Sequence, residues 1–166
     1  DMLHASAKAQ KVIDACVRRV TSVYRAEQAR GTHPVLLPEY HVDCLAAWAL
    51  EGICVGYCDC AIVTDDTIYA YEFKAGTGPI HYAQALGQCK LYALGLLGEY
   101  GTHSKIVLEV MKPGINFDRG IETTPEELTR WGEETMVPLV HRVMQGERTF
   151  RPGLHCHLCP GRPLCR

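Results

Sequence analysis

The chain has 166 residues and a formal charge of −2, with 47% hydrophobic and 22% charged residues. That is ordinary usage for one globular domain, and it excludes a disordered, collagen-like or coiled-coil chain. No apolar run approaches the roughly 18 residues of a membrane-crossing helix, and the first residues lack the apolar stretch of a signal peptide, so no membrane partner is expected.

Residues 6–28 are predicted as a helix, because Val12, Ile13, Cys16, Val20, Val23 and Tyr24 recur at helical spacing. The stretch RGTHP at 30–34 breaks it, and 35–48 read as extended structure with a proline interruption. Two short β patterns follow, Val55 to Val63 and Thr67 to Lys74, with a polar turn between them and the glycines of AGTGP ending the second. Residues 80–98 are apolar nearly all round, which predicts a well-buried helix. Residues 104–111 read as a strand closed by Pro113 and Gly114. Thr124-Pro125-Glu126-Glu127 is a capping box opening a helix to about Gln145, kinked at Pro138. The order α, β meander, then αβα predicts an α/β (α+β mixed) fold: a central mixed sheet flanked by helices, with a Cys-rich tail.

Nine cysteines stand at 16, 44, 54, 58, 60, 89, 156, 159 and 165. An odd number does not suit a disulfide framework, and six lie in apolar segments where a free thiol acts as a small buried hydrophobe. The other three crowd the last eleven residues. This asymmetry points to a reducing compartment with one metal or cluster site. Cys156 and Cys159 have ligand-pair spacing, and Cys165 adds a third thiolate. His155 or His157 could complete a tetrahedral zinc site, whereas a [4Fe–4S] cluster would need a fourth thiolate from elsewhere.

The hairpin carries the most specific signal. If Asp65 and Asp66 form a two-residue loop, Asp59 falls opposite Glu72 and Tyr57 opposite Lys74. Cys58 then meets Phe73, Cys60 meets Tyr71 and Ile62 meets Tyr69. One face is expected to be apolar, and the other to carry Asp59, Glu72 and Lys74 together, because residues two apart share a face. Facing carboxylates repel, with Cβ atoms about 5 Å apart. A hard divalent cation between them removes the repulsion, and Lys74 can steady developing negative charge.

Asp59, then Glu72-Phe73-Lys74 thirteen positions on, resembles the D…(E)xK signature of the PD-(D/E)XK nuclease superfamily. Gln88 and Tyr92 resemble the QxxxY motif of its RecB-like branch, and the three late cysteines resemble the tail of that branch's iron–sulfur members. GYCDCAIV, YEFKAGTG, QCKLYALG, WGEETMVPLVHRV and FRPGLHCHLCPGRPLC are similar to segments of an uncharacterised family of phage and prophage proteins of this type. The resemblance covers about residues 35–166. It implies a restriction-endonuclease-like core in a single domain over 1–166: a helical segment 1–34, a nuclease core 35–146 and a cluster-binding tail 147–166.

By the same resemblance, Asp59 and Glu72 bind Mg²⁺ or Mn²⁺ with the backbone carbonyl of Phe73. Lys74 positions the attacking water, and Gln88 and Tyr92 support the site or touch the DNA backbone. Cys156, Cys159 and Cys165 hold a [4Fe–4S] cluster, with Zn²⁺ as the alternative. Relatives carry a metal-reaching His in a GTxxH-like context and a fourth cluster Cys near the N-terminus. His4 lacks that context, so both groups are expected upstream of Asp1, with Cys16 as a stand-in for the thiolate. Glu39 is a further candidate carboxylate. The implied activity is metal-dependent hydrolysis of DNA phosphodiesters, as an exonuclease working with phage replication or recombination proteins in the bacterial host cytoplasm. The alternatives are a non-catalytic DNA-binding module of the same fold and a zinc-stapled protein-interaction domain. Among the aromatic residues, Trp48, Trp131, Tyr40, Tyr69 and Tyr71 can stack on bases, and AGTG at 75–78 is read as a loop beside the scissile phosphate.

Overall fold

The structure, a computed structural model, describes residues 7–74, 81–101, 103–112, 120–147 and 153. The N-terminal pattern forms α1 (Ala7–Ala29), and the extended stretch after it forms β1 (Val35–Asp43), followed by a 3₁₀ turn at Ala46–Trp48. Next come β2 (Val55–Val63), β3 (Thr67–Phe73), α2 (Tyr82–Tyr100) and β4 (Lys105–Met111). A short strand that the sequence pattern does not announce, β5 (Ile121–Thr123), precedes α3 (Pro125–Trp131) and α4 (Val137–Met144). The sheet is mixed, with order β1-β2-β3-β4-β5. All neighbours run antiparallel except β3 and β4, which are parallel. A parallel pair needs a crossover, and α2 supplies it.

The hairpin register agrees with the sequence arithmetic: Cys60 pairs with Tyr71, Ile62 with Tyr69 and Val63 with Ile68. The Asp65-Asp66 loop has no glycine, and Thr64 closes it instead. The Thr64 hydroxyl accepts from the Thr67 amide at 2.9 Å and the Asp66 amide at 3.3 Å. The Thr64 amide donates to the Thr67 carbonyl at 2.9 Å.

The expected division into one apolar and one charged face needs correction. Both faces are core. Cys60, Ile62, Tyr71 and Met111 pack with Cys16 and Val20 of α1. Ala61, Val63, Ile68 and Ala70 pack with Cys89, Ala93 and Leu94 of α2 and Leu128 of α3. A strand buried on both faces carries apolar residues at odd and even positions alike. Apart from the turn itself, only the far end of the hairpin is polar.

A second correction concerns Cys58, which packs in the α2-side core with Val42 and Cys89 and not against Phe73. On β2, Cys60 faces α1, yet Cys58, two residues earlier, faces α2. On β1, Leu37 and Tyr40 both pack on the α2 side although they are three apart. The alternation therefore shifts phase on both strands at Glu39 and Asp59, while the pairing Pro38–Cys60 and Tyr40–Cys58 keeps register across the shift. Its cause is local. Pro38 has no amide to donate, as an edge strand allows, and Glu39 adopts φ +48°.

The C-terminal helix also differs from expectation. It divides into α3, a π-helical turn at Gly132–Met136, and α4. Pro138 cannot donate to the carbonyl four residues back, so the ladder is disturbed ahead of it. Gly132 sits where the Trp48 ring leaves no room: a Cβ there would lie 2.9 Å from Cη2. The capping box at α3 is present, with Thr124 and Glu127 exchanging both bonds. No helix among the described residues is long and apolar enough to cross a membrane.

Candidate functional site

Glu72 stands next to last on β3 and is only 4% exposed. Its side chain shares the α2 face with Ile68 and Ala70, since residues two apart on a strand point the same way. Burial pushes its carboxyl above the usual range and nearby Asp59 pushes the same way, while the Lys74 ammonium pulls against both. Lys74 Nζ donates to Glu72 Oε1 and, at 3.0 Å, to Gln88 Oε1. Gln88 Nε2 donates in turn to the Tyr92 hydroxyl at 3.4 Å. The parallel ladder fixes Lys74, whose amide donates to the Met111 carbonyl at 2.7 Å. Helical spacing fixes Gln88 and Tyr92, four apart and so on one face of α2.

Tyr92 reaches β2 through Gly56. A Cβ at position 56 would lie 2.9 Å from Tyr92 Cε1, so glycine there lets the ring rest on the strand. Burial raises the Tyr92 hydroxyl, and Gln88 pulls it down.

Asp59 occupies the phase shift of β2. The β2–β3 ladder ends at the pair Cys60–Tyr71, one step short of the predicted Asp59–Glu72 pair. Asp59 Oδ2 accepts from the Phe73 amide at 2.6 Å. Its carboxylate thus closes the hairpin where backbone pairing stops, and it stays near enough to raise Glu72. Asp59 and Phe73 also line one end of an apolar cleft of about 340 Å³ between α1 and β1.

The structure therefore gathers all five predicted side chains, Asp59, Glu72, Lys74, Gln88 and Tyr92, at the far end of the hairpin. Glu39, the further candidate, is an exposed residue on β1. Cys16 is buried on the α1 side, where burial first and Asp59 second raise its thiol. Trp48 and Trp131 pack against the core, Tyr71 is fully buried, and Tyr69 donates to the buried Glu27 carboxylate at 2.6 Å. These aromatic residues serve packing. Cys156, Cys159, Cys165, His155, His157, His4 and the AGTG loop lie outside the described residues.

Sequence reasoning missed Gly56 and, although it named Glu39 as a candidate carboxylate, missed the left-handed backbone there. Pro38 was the available signal for the second. A non-glycine residue at positive φ costs about 1–2 kcal/mol, and such strain gathers at functional sites.

Among the described residues, no three His, Cys, Asp or Glu side chains form a ready ligand cluster. A cation here would rest on the two carboxylates and a backbone carbonyl. Those are hard oxygen donors, and one carboxylate is buried against a like charge, a set that suits Mg²⁺ or Mn²⁺ better than a soft metal.

A family of proteins of unknown function, DUF2800, matches residues 3–166. The chain belongs to the DUF2800 family. The match takes in every element described above, from α1 to α4, as well as the three late cysteines. No curated protein matches the chain.

Proposed function

We propose that this DUF2800 member is a metal-dependent deoxyribonuclease of the RecB-like PD-(D/E)XK kind. The observation that carries the reading is the buried Glu72 carboxylate, held between Asp59 and Lys74, with Lys74 tied on to Gln88 and Tyr92. Folding alone gives no reason to bury a carboxylate beside a second one. A bound Mg²⁺ or Mn²⁺ would supply Lewis acidity toward a phosphate oxygen and toward water.

The chain's own residues do the rest. Asp59 and Glu72 present the carboxylate oxygens, Asp59 through a side chain braced on the Phe73 amide. Lys74 holds a positive charge beside the position where phosphorane charge develops, and its ammonium can orient a water. Gln88 fixes the Lys74 head group, and Tyr92 fixes Gln88, so the cation is aimed before substrate arrives. Cys156, Cys159 and Cys165 are proposed to hold a [4Fe–4S] cluster or Zn²⁺. We place the activity in phage replication or recombination, in the bacterial host cytoplasm.

The test is degradation of end-labelled DNA by anaerobically purified protein, with and without Mg²⁺ or Mn²⁺. Metal-dependent loss of label that vanishes in Lys74→Ala, with the variant still folded by circular dichroism, supports the reading. DNA left intact by the wild type under all these conditions overturns it. A non-catalytic DNA-binding module is favoured by one observation, the engagement of Asp59 Oδ2 by the Phe73 amide. Binding of DNA without cleavage would select that second reading.

A further inference from the structure

We infer that the outward face of α1 is a docking surface for the phosphate backbone of a nucleic acid, read through Lys11, Arg18 and Arg25. The inference rests on the nucleic-acid part of the proposed function but not on catalysis.

The three residues are spaced seven apart, so they share one face of the helix with a drift of about 20° per step. At 1.5 Å per residue they span roughly 21 Å, about six phosphates of one duplex strand at 3.4 Å each. All three are exposed, and none makes an ion pair or hydrogen bond with a described residue. Most basic groups elsewhere among the described residues are engaged, Arg130 being an exception. Arg19 is paired with Glu109, Arg30 with Glu27 and Asp66, Lys74 with Glu72, Lys105 with Glu122 and Arg142 with Glu147. Lys90 lies over the Trp131 ring.

Of the acids of α1, only Asp14 lies near the row, three residues after Lys11 and four before Arg18, and it leaves an excess of positive charge there. Asp14 accepts from Gln10 Nε2 at 2.9 Å, and Glu27 is buried under Arg30, Thr32 and Tyr69. On a chain of net charge −2, three cations in a line without an ion-pair partner among the described residues outweigh the single Asp14 carboxylate and make the local field positive. Such a row attracts a partner with regularly spaced negative charge.

Position favours a nucleic acid as that partner. The opposite face of α1 lines the cleft that ends at Asp59 and Phe73, through Val12, Cys16 and Val20. α1 therefore borders the Asp59 end of the candidate site, on the side of the sheet away from α2. Phosphate contacts of this kind position a strand without reading its sequence.

The test is fluorescence anisotropy of a dye-labelled DNA oligonucleotide bound by the full chain, in EDTA so that cleavage cannot interfere, over a series of salt concentrations. The triple variant Lys11→Gln, Arg18→Gln, Arg25→Gln should reduce the slope of log affinity against log salt by about 2 for single strands, at about 0.7 per contact. Lys105→Gln, which removes an ion-paired lysine, should leave the slope unchanged. An unaltered slope in the triple variant overturns the inference. So does retention of the wild type by phosphatidylserine vesicles but not by DNA, if the triple variant abolishes it. An altered slope without cleavage in Mg²⁺ keeps the docking surface and discards the nuclease. Cleavage with an unaltered slope does the reverse.

Discussion

Replacing Lys74 by Met removes the cation that compensates a buried carboxylate while keeping most of the side-chain volume. The Glu72 side chain is 5% exposed and that of Lys74 31%. Breaking a fully buried pair costs about 3–5 kcal/mol; partial exposure of the lysine screens this one, and about 2 kcal/mol is expected. For a domain of this size that lowers Tm by about 4–8 °C. The dependence on pH has a definite sign. Burial raises Glu72 in the folded state, so its contribution to stability is fully present below the unfolded carboxyl value and is lost as pH rises through the folded one. Without Lys74 the folded value rises further and the loss extends to higher pH. The deficit of Lys74→Met should therefore be small near pH 4 and grow toward pH 7, by roughly the 2 kcal/mol estimated above. Glu72→Gln in the same background should recover most of it, because the charge left unpaired is gone. Urea unfolding at several pH values, closed as a double-mutant cycle, reads all of this. A cost below about 0.5 kcal/mol, a deficit that ignores pH, or no recovery by Glu72→Gln would refute the claim that Lys74 compensates a desolvated Glu72 carboxylate.

Two further tests concern backbone and packing. Gly95→Ala places a Cβ 2.7 Å from Val42 Cγ1 and 2.8 Å from the Asp43 carbonyl oxygen, and should cost about 2 kcal/mol through overpacking of α2 on β1. Gly87→Ala meets nothing within 4 Å and should instead gain about 0.5–1 kcal/mol in the same helix, both read by thermal unfolding. Glu39→Gly should stabilise by about 1 kcal/mol by relieving the left-handed strain. A loss there, read in the same way, would show that the Glu39 side chain contributes more than its conformation costs.

The separate elements were legible from local pattern alone. Helical spacing in α1, the short β patterns of β2 and β3, and the capping box at Thr124 each depend on neighbours within a few residues, and each appears with its ends shifted by only a residue or two. The hairpin register was legible for the same reason as far as the pair Cys60–Tyr71, because a two-residue loop sets the pairs that follow it until the ladder ends. That register also brought Asp59, Glu72 and Lys74 to one end of the hairpin, and helical spacing put Gln88 and Tyr92 on one face of α2. The short β5 depended on tertiary packing, through its pairing with β4; at the π-helical turn Pro138 was legible, whereas the close approach of Trp48 to Gly132 was not.

Which way Asp59 points was a different kind of question. Strict alternation requires Cys58 and Cys60 to share a face, and the chain separates them, because Pro38 and the left-handed Glu39 on the neighbouring strand shift the phase of both. The neighbouring strand comes from a distant stretch of chain, so no window along β2 contains that information. Likewise, only assembly of the sheet shows that Tyr92 rests on Gly56, that Glu72 is buried, and that Lys11, Arg18 and Arg25 have no ion-pair partner among the described residues while Arg19 is taken by Glu109. Residue identity settles which charges a chain carries. Which of them are neutralised, desolvated or left facing outward depends on contacts between segments far apart in sequence.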